Sequence, residues 1–144
     1  MNTKFLIATA VAALVGFTSV PAMANSVWLN QHGWQNEAGG QQAGKRNSIG
    51  VFQQGARNSA IGQQQGRGNT IAIGQEGYRN TAVSEQRGRN NAAGIGQFGA
   101  NHNAIVVQDG RGNITAGVQV GNGCDANVHQ GGSGNVAAFV QTCR

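Results

Sequence analysis

A carboxamide side chain carries two N–H donors and two acceptor positions, and this sequence sets one at every eleventh residue. Gln stands at Gln31, Gln42, Gln53, Gln64, Gln75, Gln86, Gln97, Gln108, Gln119, Gln130 and Gln141. Two residues after each of the first ten comes Gly33, Gly44, Gly55, Gly66, Gly77, Gly88, Gly99, Gly110, Gly121 or Gly132. Three further on stands Asn36, Asn47, Asn58, Asn69, Asn80, Asn91, Asn113 or Asn135, with His102 and Cys124 as the exceptions. The chemistry this spacing offers is amide-to-amide hydrogen bonding. Where identical amides lie one rung apart, each satisfies the next, and removing one leaves unpaired groups above and below.

The remaining chemical groups are sparse. The carboxylates Glu37, Glu76, Glu85, Asp109 and Asp125 are dispersed. A general acid–base pair or a nucleophilic triad needs unlike groups converging in a cleft, so the sequence predicts no enzyme and no catalytic residue. His32, His102 and His129 fall at three different places in the repeat; they read as surface or turn residues, with no metal site and no cofactor. Cys124 and Cys143 lack a C-x-x-C partner or clustered His, so in an exported protein they read as a disulfide pair.

The elements that must position the amides follow from the period. Eleven residues fit three α-turns, but a helix with Gly at one position in every eleven, often flanked by more, would lose roughly 1 kcal/mol per Gly relative to Ala. A strand and a reversal fit better. Stretches such as Asn69-Thr70-Ile71-Ala72-Ile73-Gly74-Gln75 alternate and are rich in β-branched residues, and each Gln-x-Gly-x-x-Asn supplies turn formers. The Gly after Gln is expected in a left-handed or otherwise tight conformation. Alternation turns Asn, the second and fourth residues after it, and the next Gln to one face, which is predicted to point inward.

The inward apolar pairs set the coil. Ile49/Val51, Ala60/Gly62, Ile71/Ile73 and Ala82/Ser84 alternate large and small, and Ala104/Val106 then stands against Thr115/Gly117. If consecutive units are the two facing strands of one coil, large always meets small and a narrow interior keeps its width. The fold class is therefore all-β: a β-solenoid of about five 22-residue coils with two strands each, about 24 Å tall at roughly 4.8 Å per rung. Gln31, Gln53, Gln75, Gln97 and Gln119 form one ladder, and Gln42, Gln64, Gln86, Gln108 and Gln130 another. Cys124, at an Asn position, and Cys143, at the next Gly position, then share an edge, within reach of the 4.4–6.8 Å Cα separation of a disulfide; a bridge between fibres is the alternative.

Composition bounds the rest. Residues 1–24, with Lys4, an apolar run and Ala22-Met23-Ala24, read as a secretory signal peptide cleaved before Asn25. Without Lys4, nine Lys and Arg oppose five carboxylates, a net charge of +4. Large apolar residues are few, so order must come from backbone pairing and stacked amides. Residues 25–41 read as a short N-terminal segment whose first half-repeat, Glu37-Ala38-Gly39-Gly40, lacks a bulky inward side chain; Trp28 and Trp34 lie there, to meet a partner or to cover the first coil. Residues 42–144 read as the repeat region.

Gln, Gly and Asn in these relative positions, with Ala60, Ala82, Ala93, Ala104, Ala126 and Ala137 two residues after the Asn position, closely resemble the curlin repeat. The resemblance covers essentially all of residues 25–144. It implies a subunit of extracellular curli-type functional amyloid, self-assembling into a cross-β fibre of the biofilm matrix by templated addition. It further implies a second curlin subunit, an outer-membrane secretion channel with accessory proteins, and a place on the bacterial surface, in adhesion and colonisation. The chain departs from the curlin pattern in its two Cys, in its short segment before Gln42, and in replacing the Ser that opens many repeats with Thr70, Thr81, Ala92 and Ile114.

Other readings stand beside this one. The chain could be the minor curlin that nucleates another subunit, or a capped monomeric solenoid that binds through its basic edge. Lys45, Arg46, Arg67, Arg87, Arg89 and Arg111 are expected to line that edge, against Arg57 and Arg79 on the other, and to attract acidic polymers nonspecifically or merely keep the edge solvated. The strict period argues against a disordered Arg-Gly tract and specific nucleic-acid binding. Asn113-Ile114-Thr115 matches a glycosylation sequon at a ladder position. Mixed outward residues (Ile61, Ala72, Val83, Gly94, Ile105) argue against a flat ice- or sugar-binding face.

Overall fold

The computed structural model describes residues 24–144; the expected signal segment lies, except for Ala24, outside the described residues. Eleven strands follow one another: β1 (Ser26–Trp34), β2 (Glu37–Lys45), β3 (Ser48–Ala56), β4 (Ser59–Arg67), β5 (Thr70–Tyr78), β6 (Thr81–Arg89), β7 (Ala92–Ala100), β8 (Asn103–Arg111), β9 (Ile114–Asn122), β10 (Asp125–Ser133) and β11 (Val136–Cys143). Odd strands form one sheet in the order β1-β3-β5-β7-β9-β11, and even strands form the other, β2-β4-β6-β8-β10. All pairs are parallel, and each residue meets the one 22 later, as Gln53 meets Gln75 and Gln64 meets Gln86. The chain is thus an all-β solenoid of two-strand coils, as the period predicts.

The interior is as narrow as the large-against-small pattern requires. Ile49, Val51, Ile71, Ile73, Ile95 and Val106 pack with Ala60, Ala82, Ala93 and Ala104 in one buried cluster. A methyl added to Gly62 would sit 3.1 Å from Cγ2 of Ile49 across the coil, so the small member leaves room for the large one. Phe139 plays the same part along the stack, its ring occupying the space beside Gly117 one rung below. The first half-repeat is strand like the others. The boundary expected at Gln42 falls inside β2, and Gly40 faces Val27 and Ile49, which supply the bulk that β2 lacks.

Each reversal uses two residues with positive φ. One is the Gly two places after Gln, between +96° at Gly132 and +129° at Gly99. At Gly77, φ is +126°, and a Cβ would strike the carbonyl oxygen of Gly99 on the rung above. Only glycine lets the backbones approach this closely. The second residue precedes the Asn position and lies in the left-handed region: Gln35, Arg46, Arg57, Arg79, Asn90 and Asn101, or Gly68, Gly112, Gly123 and Gly134. For a non-glycine residue that conformation costs roughly 1–2 kcal/mol. The ladder bonds on either side offset it.

Candidate assembly ladders and edges

Each ladder Gln from Gln42 to Gln119 spends its two amide protons in different directions. In one ladder Nε2 donates to the Oε1 one rung on: Gln31 to Gln53 at 2.6 Å, Gln53 to Gln75 at 2.8 Å, Gln75 to Gln97 at 2.7 Å, Gln97 to Gln119 at 2.8 Å and Gln119 to Gln141 at 2.9 Å. The other ladder runs from Gln42 through Gln64, Gln86 and Gln108 to Gln130 at 2.7–3.0 Å. The second proton crosses the coil: Gln75 donates to the Ser59 carbonyl and Gln86 to that of Thr70, both at 3.0 Å. One side chain therefore ties its rung to the next and its sheet to the opposite sheet. Gln53, Gln86, Gln97, Gln108 and Gln119 are fully buried, where an unmade bond of this kind costs most.

The Asn column closes the turns. Asn58 Oδ1 accepts the Asn80 backbone N–H at 3.1 Å, and Asn58 Nδ2 donates to the carbonyls of Gln54 and Gly77. The same set repeats at Asn47, Asn69 and Asn91, and Asn36 and Asn113 likewise donate to the Gly carbonyl 19 residues on. At the end of the column Asn135 donates to Gly131 and Asn113. The two exceptions are accommodated differently. His102 keeps the pattern: Nδ1 accepts the Cys124 N–H at 3.2 Å and Nε2 lies 3.2 Å from the Phe98 carbonyl. Those bonds fix the tautomer with the proton on Nε2. Cys124 is joined to Cys143 by a disulfide with a Cα separation of 5.5 Å.

Three features escape a reading of the sequence. Asn25 belongs to the ladder, because its Oδ1 accepts the Asn47 N–H at 3.0 Å and its Nδ2 donates to the Gly44 carbonyl. It lies eleven residues before Asn36, which is the signal that would have found it. The left-handed position is also marked in six of the ten turns, by Gly or Asn at 68, 90, 101, 112, 123 and 134. Thr115, in an inward apolar slot, accepts from Gln108 Nε2 at 3.1 Å and donates to Gln130 Oε1 at 2.7 Å, bridging one ladder bond.

The predicted basic edge is divided. Lys45, Arg67, Arg89 and Arg111 stand in one register column at the ends of the even strands, and Arg46 follows Lys45 in the turn. Arg87 lies away from them on the outer sheet face, paired with Glu85 and with Asp109, which also faces His129. On the opposite edge Arg57 and Arg79 lie over aromatic rings, Arg57 on Trp34 and Tyr78 and Arg79 on Tyr78, at 4.9–5.7 Å. His129 lies 3.9 Å from Asp109, and no cluster of three metal-ligating groups occurs among the described residues.

The two ends of the stack differ in hydrogen-bond polarity. At the β10–β11 end, Gln130 and Gln141 each donate one proton across the coil and point the other outward along the ladder. At the β1–β2 end, Gln31 and Gln42 donate to the rung above and keep Oε1 as the outward acceptor. Val27 and Leu29 there share a column with Ile49 and Val51, yet are 47% and 44% exposed against 1% and 0%.

Fold and ladders together define a parallel β-solenoid whose rungs are joined by side-chain amides. Residues 44–110 carry curlin repeats: the family described as Curlin associated repeat matches residues 44–77, 66–99 and 77–110. Comparison with curated proteins gives no match. Curlin repeats on this fold support a curli-type subunit, a structural family and not a known enzyme family.

Proposed function

We propose that the chain is a structural subunit of extracellular curli-type fibres, exported after removal of residues 1–24 and added head to tail at the bacterial surface to build adhesive biofilm matrix. The observation that carries this reading is the complementarity of the two ends. Outward amide protons of Gln130 and Gln141 match outward acceptors of the Gln31 and Gln42 type, and Val27 and Leu29 wait uncovered in a column buried elsewhere. An open solenoid end is a template for another strand, and an incoming copy would satisfy donors, acceptors and apolar residues together. The ladders Gln31 to Gln141 and Asn36 to Asn135 act as the register device. In this reading the partners are further copies, a second curlin and the secretion channel with its accessory proteins.

The test is a thioflavin time course on residues 25–144 diluted from denaturant, followed by fibre diffraction. Seedable fibres with a meridional reflection near 4.8 Å are expected. A stable, soluble β-rich monomer would overturn the reading and favour a capped solenoid.

A further inference from the structure

The edge at the ends of the even strands holds five cations without a local use. Lys45, Arg67, Arg89 and Arg111 repeat at one position of four successive coils, which spaces them by about one rung, roughly 4.8 Å. All four are exposed, as is Arg46 beside them. None makes an ion pair among the described residues; the nearest carboxylate along β8, Asp109, faces Arg87 and His129 instead. The odd strands that start from this edge open with Ser26, Ser48, Thr70, Ala92, Ile114 and Val136, so no carboxylate enters from that side. Between the arginines lies an open recess of about 350 Å³ lined by Arg46, Arg67, Gly68, Arg89, Asn90 and Arg111. Its floor is kept low by the small residues Gly68 and Asn90 of the left-handed column.

We propose that this column is a binding track for a linear acidic polysaccharide, a uronate polymer whose carboxylates recur along one chain. Like charges stacked one rung apart repel, and a flexible chain of carboxylates laid along the stack relieves that repulsion at every rung. Guanidinium groups pair with carboxylates through two parallel N–H donors, and a column of them supplies that fork repeatedly in one direction. The edge favours a polysaccharide over a nucleic acid because it lacks the aromatic platforms on which bases stack; Trp34 and Tyr78 are on the opposite edge, beside Arg57 and Arg79. The track is complete within one chain and does not rest on fibre formation.

Binding of polygalacturonate to the full chain, measured at low and physiological salt, compares two variants that remove equal charge. R67Q/R89Q is expected to weaken binding about tenfold or more, because two charge-assisted contacts are lost, whereas R57Q/R79Q leaves it within about twofold, since those groups lie off the track. R67K/R89K keeps the charge without the fork and is expected to fall between; it also carries the test should the Gln variant fail to fold. Equal losses in the two charge-matched variants, or no loss in either, overturn the track. Tighter binding of a single-stranded oligonucleotide of equal charge, or undiminished binding of the methyl-esterified polymer, overturns the assignment to an acidic polysaccharide.

Discussion

Cys124 and Cys143 are linked across the same interval of 19 residues over which Asn113 Nδ2 donates to the Gly132 carbonyl at 3.2 Å. A covalent bond thus stands where the turns at Asn36, Asn58 and Asn80 on the same edge use a hydrogen bond from the Asn position to the next rung. It closes the turn at Cys124 onto β11, which has a neighbouring strand in its sheet on one side only.

That placement predicts a local effect. Closing a loop of this length contributes about 3 kcal/mol, so C124S/C143S should raise amide hydrogen exchange in β10 and β11 and leave β5 to β7 unchanged. C124N/C143G restores both residue types of the repeat, and with them the hydrogen bond, and should recover most of the protection.

Two glycines three residues apart should respond oppositely to the same methyl group. Gly77 has φ of +126° and a Cβ there meets the Gly99 backbone, whereas a Cβ on Gly74 meets nothing within 4 Å. G77A is expected to cost well over 1 kcal/mol and to block or greatly delay thioflavin-positive growth; G74A should grow at the wild-type rate.

Removal of Gln75 leaves Gln53 Nε2 without an acceptor and Gln97 Oε1 without a donor. Each unsatisfied buried group costs roughly 1–3 kcal/mol, so Q75A should lengthen the lag phase markedly. N80A should do the same, since Asn80 serves the His102 N–H and the Gly99 carbonyl. R79A removes an exposed contact with Tyr78 and should change the lag little. Equal lag times for the three variants would contradict the role of the ladders in growth.

His102 serves as an Asn equivalent, and the substitutions separate that role from mere bulk. H102N should hold stability near wild type, because Asn supplies the same acceptor to Cys124 and a donor to residue 98. H102A should destabilise by roughly 1–3 kcal/mol, since the Cys124 N–H is left without its acceptor. Urea unfolding of the soluble monomer, or of fibres, measures both.

Much of this molecule is legible in the sequence because its order is repetitive. The spacing of Gln53, Gln64 and Gln75 gives the strand-and-turn unit, and the alternation of Ile49/Val51 with Ala60/Gly62 gives a coil of two strands. Residues of one type at one period stack on their own kind, so period, strand alternation and the large–small pattern together select the inward face and the 22-residue register. Arg87 shows where that logic stops. The sequence places it with Arg89 and Arg111 on the basic edge, whereas a position two residues earlier lies on the sheet face, within reach of Glu85 and Asp109.

Period and alternation along one strand are enough to give the solenoid, its inward Gln and Asn columns and the nearness of Cys124 to Cys143. Packing between strands sets how one amide proton of each Gln from Gln42 to Gln141 crosses to the opposite sheet, how His102 replaces an amide, and how Thr115 bridges a ladder bond. It also separates the unpaired cations at Arg67, Arg89 and Arg111 from those held by rings and carboxylates. Those relations join residues on different strands and opposite sheets, and their distances are set by packing across the coil and between rungs, which no spacing along the chain encodes.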